Sequence, residues 1–171
     1  MKAKKLLGVV VGMMVIGGAL TACGETQVEK VDTKKVAEQP AKKAEDKVFA
    51  VGDTVKVNGL EVTITKASFT QPNQYTQAEK GKVLTLDMTA KNTGESAFID
   101  NTEFNLYDAQ GNQLKEYFGY DEMAISGDVN KGKQLTGKLY FDVPQADSYE
   151  LIYKPSFTLD NKEIKWNIKV Q

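Results

Sequence analysis

Few side chains in this sequence can do chemistry. Its 171 residues include no histidine and one cysteine, Cys23. The commonest general base and the commonest nitrogen ligand for zinc are therefore missing. Beyond Cys23 no thiolate nucleophile, disulfide or sulfur metal site can form. Carboxylates remain. Asp121 and Glu122 adjoin and Asp128 follows; meeting across a loop, they would suit acid–base work or oxygen coordination of calcium. The spacing matches no calcium loop, and neighbouring acids in a loop are usually solvated. No catalytic residue, metal or cofactor is assigned, and an enzyme is not expected. Aromatic residues offer contact chemistry instead. Tyr117, Phe118 and Tyr120 bunch around Gly119 as a candidate interaction patch for a protein or a glycan, which Tyr75 would join if the loops converge. The other reading has the three cap the open end of a β-sandwich from within.

Cys23 sits in a different context. Lys2, Lys4 and Lys5 precede an uncharged apolar stretch over residues 6–20. At about 1.5 Å per residue this stretch reaches roughly 22 Å as a helix, short of the roughly 30 Å hydrocarbon core of a bilayer. It ends in Leu20-Thr21-Ala22-Cys23, which looks like a bacterial lipobox. Small residues before the cleaved bond let a peptidase grip the chain between Ala22 and Cys23. The cysteine sulfur takes a diacylglycerol through a thioether, and the freed amine becomes the new terminus. Two acyl chains, at about 0.8 kcal/mol per buried methylene, anchor stably where one does not. Residues 1–22 are thus read as a lipoprotein signal peptide and Cys23 as the lipidated residue. The reading implies attachment to the extracellular face of the cell membrane, with membrane lipid as the first partner.

Residues 23–46 continue as a charged tether whose large apolar residues are Val28, Val31 and Val36, with Pro40 against any long helix. Such a segment cannot bury enough apolar surface to offset its chain entropy, so a flexible spacer is expected; a short helix over residues 28–38 is the other option. Without the three leader lysines, 19 basic residues face 23 acids, a net charge of −4. Every basic residue is lysine. A mildly acidic surface with no arginine forks offers nucleic acid nothing to bind.

Residues 47–171 read as one domain. Leu60, Val62 and Ile64 alternate with polar neighbours, as do Leu84, Leu86, Met88 and Ala90. Leu139, Phe141 and Val143 oppose Lys138, Tyr140 and Asp142; Tyr149, Leu151 and Tyr153 share a face; Ile164, Trp166 and Ile168 close the chain. Period-two alternation marks half-buried strands, and residues 54–57 and 103–107 are shorter ones. Asn58-Gly59 is a strong hairpin signal, and turn residues recur at Asn92-Thr93-Gly94, Asp108-Ala109-Gln110-Gly111 and Asn130-Lys131-Gly132. A helical turn fits residues 75–80 or 122–126. The fold class expected is all-β, an antiparallel immunoglobulin-like sandwich of about seven to eight strands.

Val51-Gly52-Asp53-Thr54 and Gly59-Leu60-Glu61-Val62-Thr63 resemble the opening of a telokin-like, immunoglobulin-type domain found in Gram-positive lipoproteins. The likeness runs through Lys91-Asn92-Thr93-Gly94 and Leu106-Tyr107-Asp108-Ala109-Gln110-Gly111 to Gly137-Lys138-Leu139-Tyr140-Phe141-Asp142-Val143-Pro144, covering residues 51–153. The chain departs from it at Lys131-Gly132, where the family carries Pro-Gly. That family is similar in fold to immunoprotective extracellular antigens and is of unknown function; it implies fold and location, and no catalytic residues. The expectation is a non-catalytic accessory module that binds an envelope protein or a cell-wall component. The alternatives are a carboxylate-dependent cell-wall enzyme and a small-ligand-binding accessory of a transporter.

Overall fold

The computed structural model describes residues 28–31, 47–159 and 162–170. Residues 1–22, expected to be a signal peptide, Cys23 and most of the expected tether lie outside the described residues. The strands are β1 (Val28–Val31), β2 (Val48–Ala50), β3 (Thr54–Val57), β4 (Leu60–Thr70), β5 (Lys82–Asn92), β6 (Ala97–Asp100), β7 (Phe104–Tyr107), β8 (Gln113–Glu116), β9 (Ser126–Val129), β10 (Gln134–Val143), β11 (Ser148–Tyr153) and β12 (Ile164–Lys169). The all-β class stands as expected, with more strands. The additional ones, β1, β2, β6, β8 and β9, run three or four residues each.

Ten strands form one curled sheet in the order β1-β3-β4-β5-β10-β8-β7-β11-β12-β2, and β6 pairs β9 separately. The curl turns at β8, which pairs β10 through Glu116 and Lys115 and β7 through Leu114 and Gln113. Inner faces from both halves then meet in one core, with Leu60, Leu84, Leu86 and Leu139 against Phe104, Leu151 and Trp166. Trp166 is fully buried.

Local chemistry sets the register. Asn58 and Gly59 both take positive φ, 47° and 91°, the mirror-image turn whose twist suits a two-residue hairpin. A β-carbon on Gly59 would lie 2.8 Å from Gly94 Cα, so the turn also needs glycine for the close approach of its neighbour. In β4 the pairing with β5 slips between Ile64 and Lys66. That bulge shifts the parity: Leu60, Val62 and Ile64 face the core before it, Ala67 after it, and Ser68 and Thr70 turn to the outer face.

Three sequence expectations change. Residues 28–31 do not form a helix or part of a free spacer; they pair antiparallel with β3, Val28 opposite Val57 and Val31 opposite Thr54. Val28 packs on the core and Lys30 reaches Asp53 at 2.6 Å. No helical turn forms over residues 75–80 or 122–126. The first holds the bridge Asn73–Thr76 and a tight turn, while Ile125 N–H donates to Lys138 O and Ser126 enters β9. The one helical turn among the described residues is 3-10, Asn101–Glu103, closed by a reciprocal Asp100–Glu103 cap. Among these residues no helix is long and apolar enough to cross a membrane.

Candidate functional site

The alternation of β5 and β10 puts Val83 and Thr85, Lys138, Tyr140 and Asp142 on the outer face of the sheet. Register places Ser68, Thr85 and Tyr140 in one row and Thr70, Val83 and Asp142 in the next. In an exposed antiparallel sheet this face would meet water. Here Val83, Thr85, Tyr140 and Asp142 are all buried, because two loops, residues 71–81 and 117–125, fold over them. Val83, Tyr117 and Tyr140 form a second small core with Tyr120, Ala78 and Ala124 packed against it.

Polar staples hold the loops down. Tyr117 Oη accepts from Asn73 N–H at 2.7 Å and donates to Thr76 O. The Asp142 carboxylate accepts from Glu79 N–H and Lys80 N–H at 2.7 and 2.9 Å. Tyr120 stands edge-on to both Tyr117 and Tyr140, with ring centroids 5.1 and 5.0 Å apart. Its hydroxyl donates to Gln71 O at 2.6 Å, so it accepts from Thr70 Oγ1 at 2.8 Å, and Thr70 in turn accepts from Thr85 Oγ1 at 2.7 Å. One run of hydroxyls, pointing one way, thus fixes one wall.

Beside that wall lies an open cavity of 360 Å³. Thr70, Gln71 and Thr85 line one side, and Tyr120, Asp121 and Glu122 come from the second loop. Lys138 and Tyr140 form the floor. Lys138 Nζ donates to Glu122 at 2.6 Å, which holds the Glu122 carboxyl below the usual carboxylate range and lifts the Lys138 ammonium. Glu122 therefore carries no proton to donate at neutral pH. Burial pushes the Tyr140 hydroxyl well above the ordinary tyrosine range, and the Glu122 carboxylate beside it adds to the rise, as acceptor and as charge. Tyr140 Oη, on a residue only 4% exposed, is closed off from the cavity and reaches no partner at good hydrogen-bonding geometry, Glu122 being the polar group it faces. Tyr153 Oη and Trp166 Nε1 are likewise without partners, but inside the main sandwich core.

The aromatic trio is divided. Tyr117 is buried and Tyr120 half-buried, both as staples of the roof, while Phe118 is 79% exposed. Tyr75 on the facing loop and Met123 beside Glu122 are also exposed. Gly119 is what lets the loop close: a β-carbon there would sit 2.1 Å from Tyr117 Oη. Of the three acids, Asp121 and Glu122 reach the cavity, whereas Asp128 lies in β9 opposite Phe98. Among the described residues no group of three acids is placed to hold a metal ion. Sequence reasoning missed Tyr140, Thr85 and Asp142, which alternation assigns to the solvent side. Cys23 and Ala22 lie outside the described residues.

Comparison with known proteins places this arrangement. A family model described as a domain of unknown function, DUF4352, matches residues 49–164. The uncharacterized lipoprotein YjhA of Bacillus subtilis is 25% identical over 179 residues, covering 84% of each chain. Its crystal structure overlays with a TM-score of 0.56 at 22% identity, over 72% of this chain and all of that one. The crystal structure of ycdA from the same organism, assigned as a lipoprotein, overlays with a TM-score of 0.58 at 27% identity over 66% of this chain. This chain spans only 37% of the length of ycdA. With well over half its length matched, the chain belongs to the DUF4352 family of domains of unknown function.

Proposed function

We propose that this protein is a lipoprotein, anchored at the extracellular face of the cell membrane through Cys23, whose sandwich binds a ligand rather than transforming one. The anchor rests on the leader, the Leu20-Thr21-Ala22-Cys23 motif and the uncharacterized lipoproteins among its relatives. The binding role rests on one observation: loops stapled across the outer sheet face leave an open cavity lined by Tyr120, Asp121, Glu122 and Lys138, and the same two loops hold Tyr75 and Phe118 exposed. Exposed aromatic side chains beside a cavity with a few polar groups are what contact surfaces are built from. Acid catalysis by Glu122 is disfavoured by its pairing with Lys138, and Asp128 lies on another element.

A photocrosslinking residue placed at Phe118, on the loop that lines the cavity, tests the reading in intact cells. Leu159, also exposed, is the control position. Crosslinks to an envelope component from position 118 and none from 159 are expected. Equal crosslinking from both positions, or none from 118, would remove the outer-face loops as the binding surface.

A further inference from the structure

We infer that Asn58 is a site of self-driven covalent change, and that its conversion to isoaspartate uncouples β1 from the sheet. The inference is independent of the binding role proposed above. Asn58 is the sole asparagine followed by a glycine. Its carboxamide carbon is an electrophile, and the Gly59 nitrogen, with no β-carbon beside it, is an unhindered nucleophile. Asn58 is exposed and Gly59 half-buried at the hairpin tip. Among the described residues no group bonds the Asn58 carboxamide or the Gly59 N–H. The sheet holds Gly59 by its carbonyl instead, which accepts from Thr93 N–H and Oγ1 at 2.8 and 2.9 Å. Rotation about the Asn58 Cα–C bond therefore brings the two reacting atoms together without breaking a hydrogen bond on either. Asn92 is the contrast: it is buried, its amide donates to Val129 O at 2.6 Å, and threonine follows it.

The chemistry needs water alone. The Gly59 nitrogen attacks Asn58 Cγ, and the new C–N bond forms as the Cγ–Nδ2 bond breaks. Nδ2 leaves as ammonia, taking the proton that Gly59 N–H gives up, and a five-membered imide remains. Water then adds at the main-chain carbonyl of residue 58 and breaks its bond to the Gly59 nitrogen, which regains a proton. The chain now runs through Cβ and Cγ, one methylene longer, beside a free carboxylate. A two-residue turn with positive φ at both positions has no slack for this. A β-carbon on Gly59 would already lie 2.8 Å from Gly94 Cα, so the longer turn has to leave Thr93 and its register. Val57 pairs Leu60 across that turn and Val28 across the next ladder. The disturbance thus reaches β1, a four-residue edge strand. Loss of ammonia to solvent makes the release one-way, and a freed β1 lengthens the tether.

The test ages the full chain in detergent micelles at physiological temperature and pH, then locates isoaspartate by electron-transfer mass spectrometry. Isoaspartate is expected at residue 58 and at no other asparagine. The aged form, separated by anion exchange through its extra negative charge, should show β1 amides exchanging about tenfold faster, with β11 and β12 amides unchanged. Asn58→Gly keeps a turn-forming pair and removes the carboxamide, so it should age without change and hold β1 protected throughout. Asn58 still intact when a guanidinium-unfolded sample has fully converted would overturn the site. Isoaspartate at residue 58 with β1 still protected, or loss of β1 protection in aged Asn58→Gly, would overturn the coupling.

Discussion

The Gly119→Ala substitution isolates the staple that closes the roof over the outer face. Gly119 does not occupy the left-handed region, so alanine suffers no backbone strain there and the whole effect is steric. The added β-carbon would lie 2.1 Å from Tyr117 Oη and 2.3 Å from Cζ, well inside van der Waals contact, so the ring has to leave. With it go the bonds to Asn73 N–H and Thr76 O and the edge-on contact with Tyr120. Two hydrogen bonds at about 1 kcal/mol each and an aromatic contact at about 1 kcal/mol give about 3 kcal/mol. Urea unfolding followed by fluorescence of Trp166, the sole tryptophan, measures the loss. Amide exchange at Asn73 locates it. In a Tyr117→Ala background the space is open, and the same substitution should cost under about 0.5 kcal/mol. Wild-type stability for Gly119→Ala alone, with Asn73 still protected, would refute the steric argument.

Three further outcomes follow from the same geometry. Lys30 holds the Asp53 carboxyl below its ordinary value of 3.8; a depressed carboxylate stabilises above the unfolded value and loses that effect as pH falls through the folded one. The β1 amides should therefore keep strand-like shifts at neutral pH and lose them in that acid range, and Lys30→Ala should remove this pH dependence. Asp142→Ala frees the N–H groups of Glu79 and Lys80 and should cost about 2–3 kcal/mol, with faster proteolysis in residues 71–81 as the readout. Pairing of β1 with β3 leaves at most roughly 18 Å of chain between Cys23 and Val28. Val28→Asp should release β1 and lower energy transfer between a labelled domain and a dye in the membrane; unchanged transfer would contradict a docked β1.

The main strands were readable because alternation is a local signal: each run from Leu60 to Trp166 carries its own inward and outward residues. Asn58-Gly59 announced its hairpin because both residues tolerate positive φ. The site was not readable in the same way. Tyr140 and Asp142 sit on the polar side of their strand, and their burial comes from loops distant in sequence that only tertiary structure brings over them. Tyr117, Phe118 and Tyr120 are neighbours in the chain, but backbone direction at Gly119 sends one outward and two inward. Val28–Val31 carries two valines and two charges, too little pattern to reveal a strand whose partner lies beyond the tether.

The proposed attachment through Cys23 would decide where all of this chemistry operates. Intact mass spectrometry of the protein extracted from its native membrane measures it directly. The predicted chain begins at Cys23 and carries a diacylglyceryl group there, and Cys23→Ala appears in the soluble fraction without it. A chain that begins at Met1 with an unmodified thiol would contradict the account.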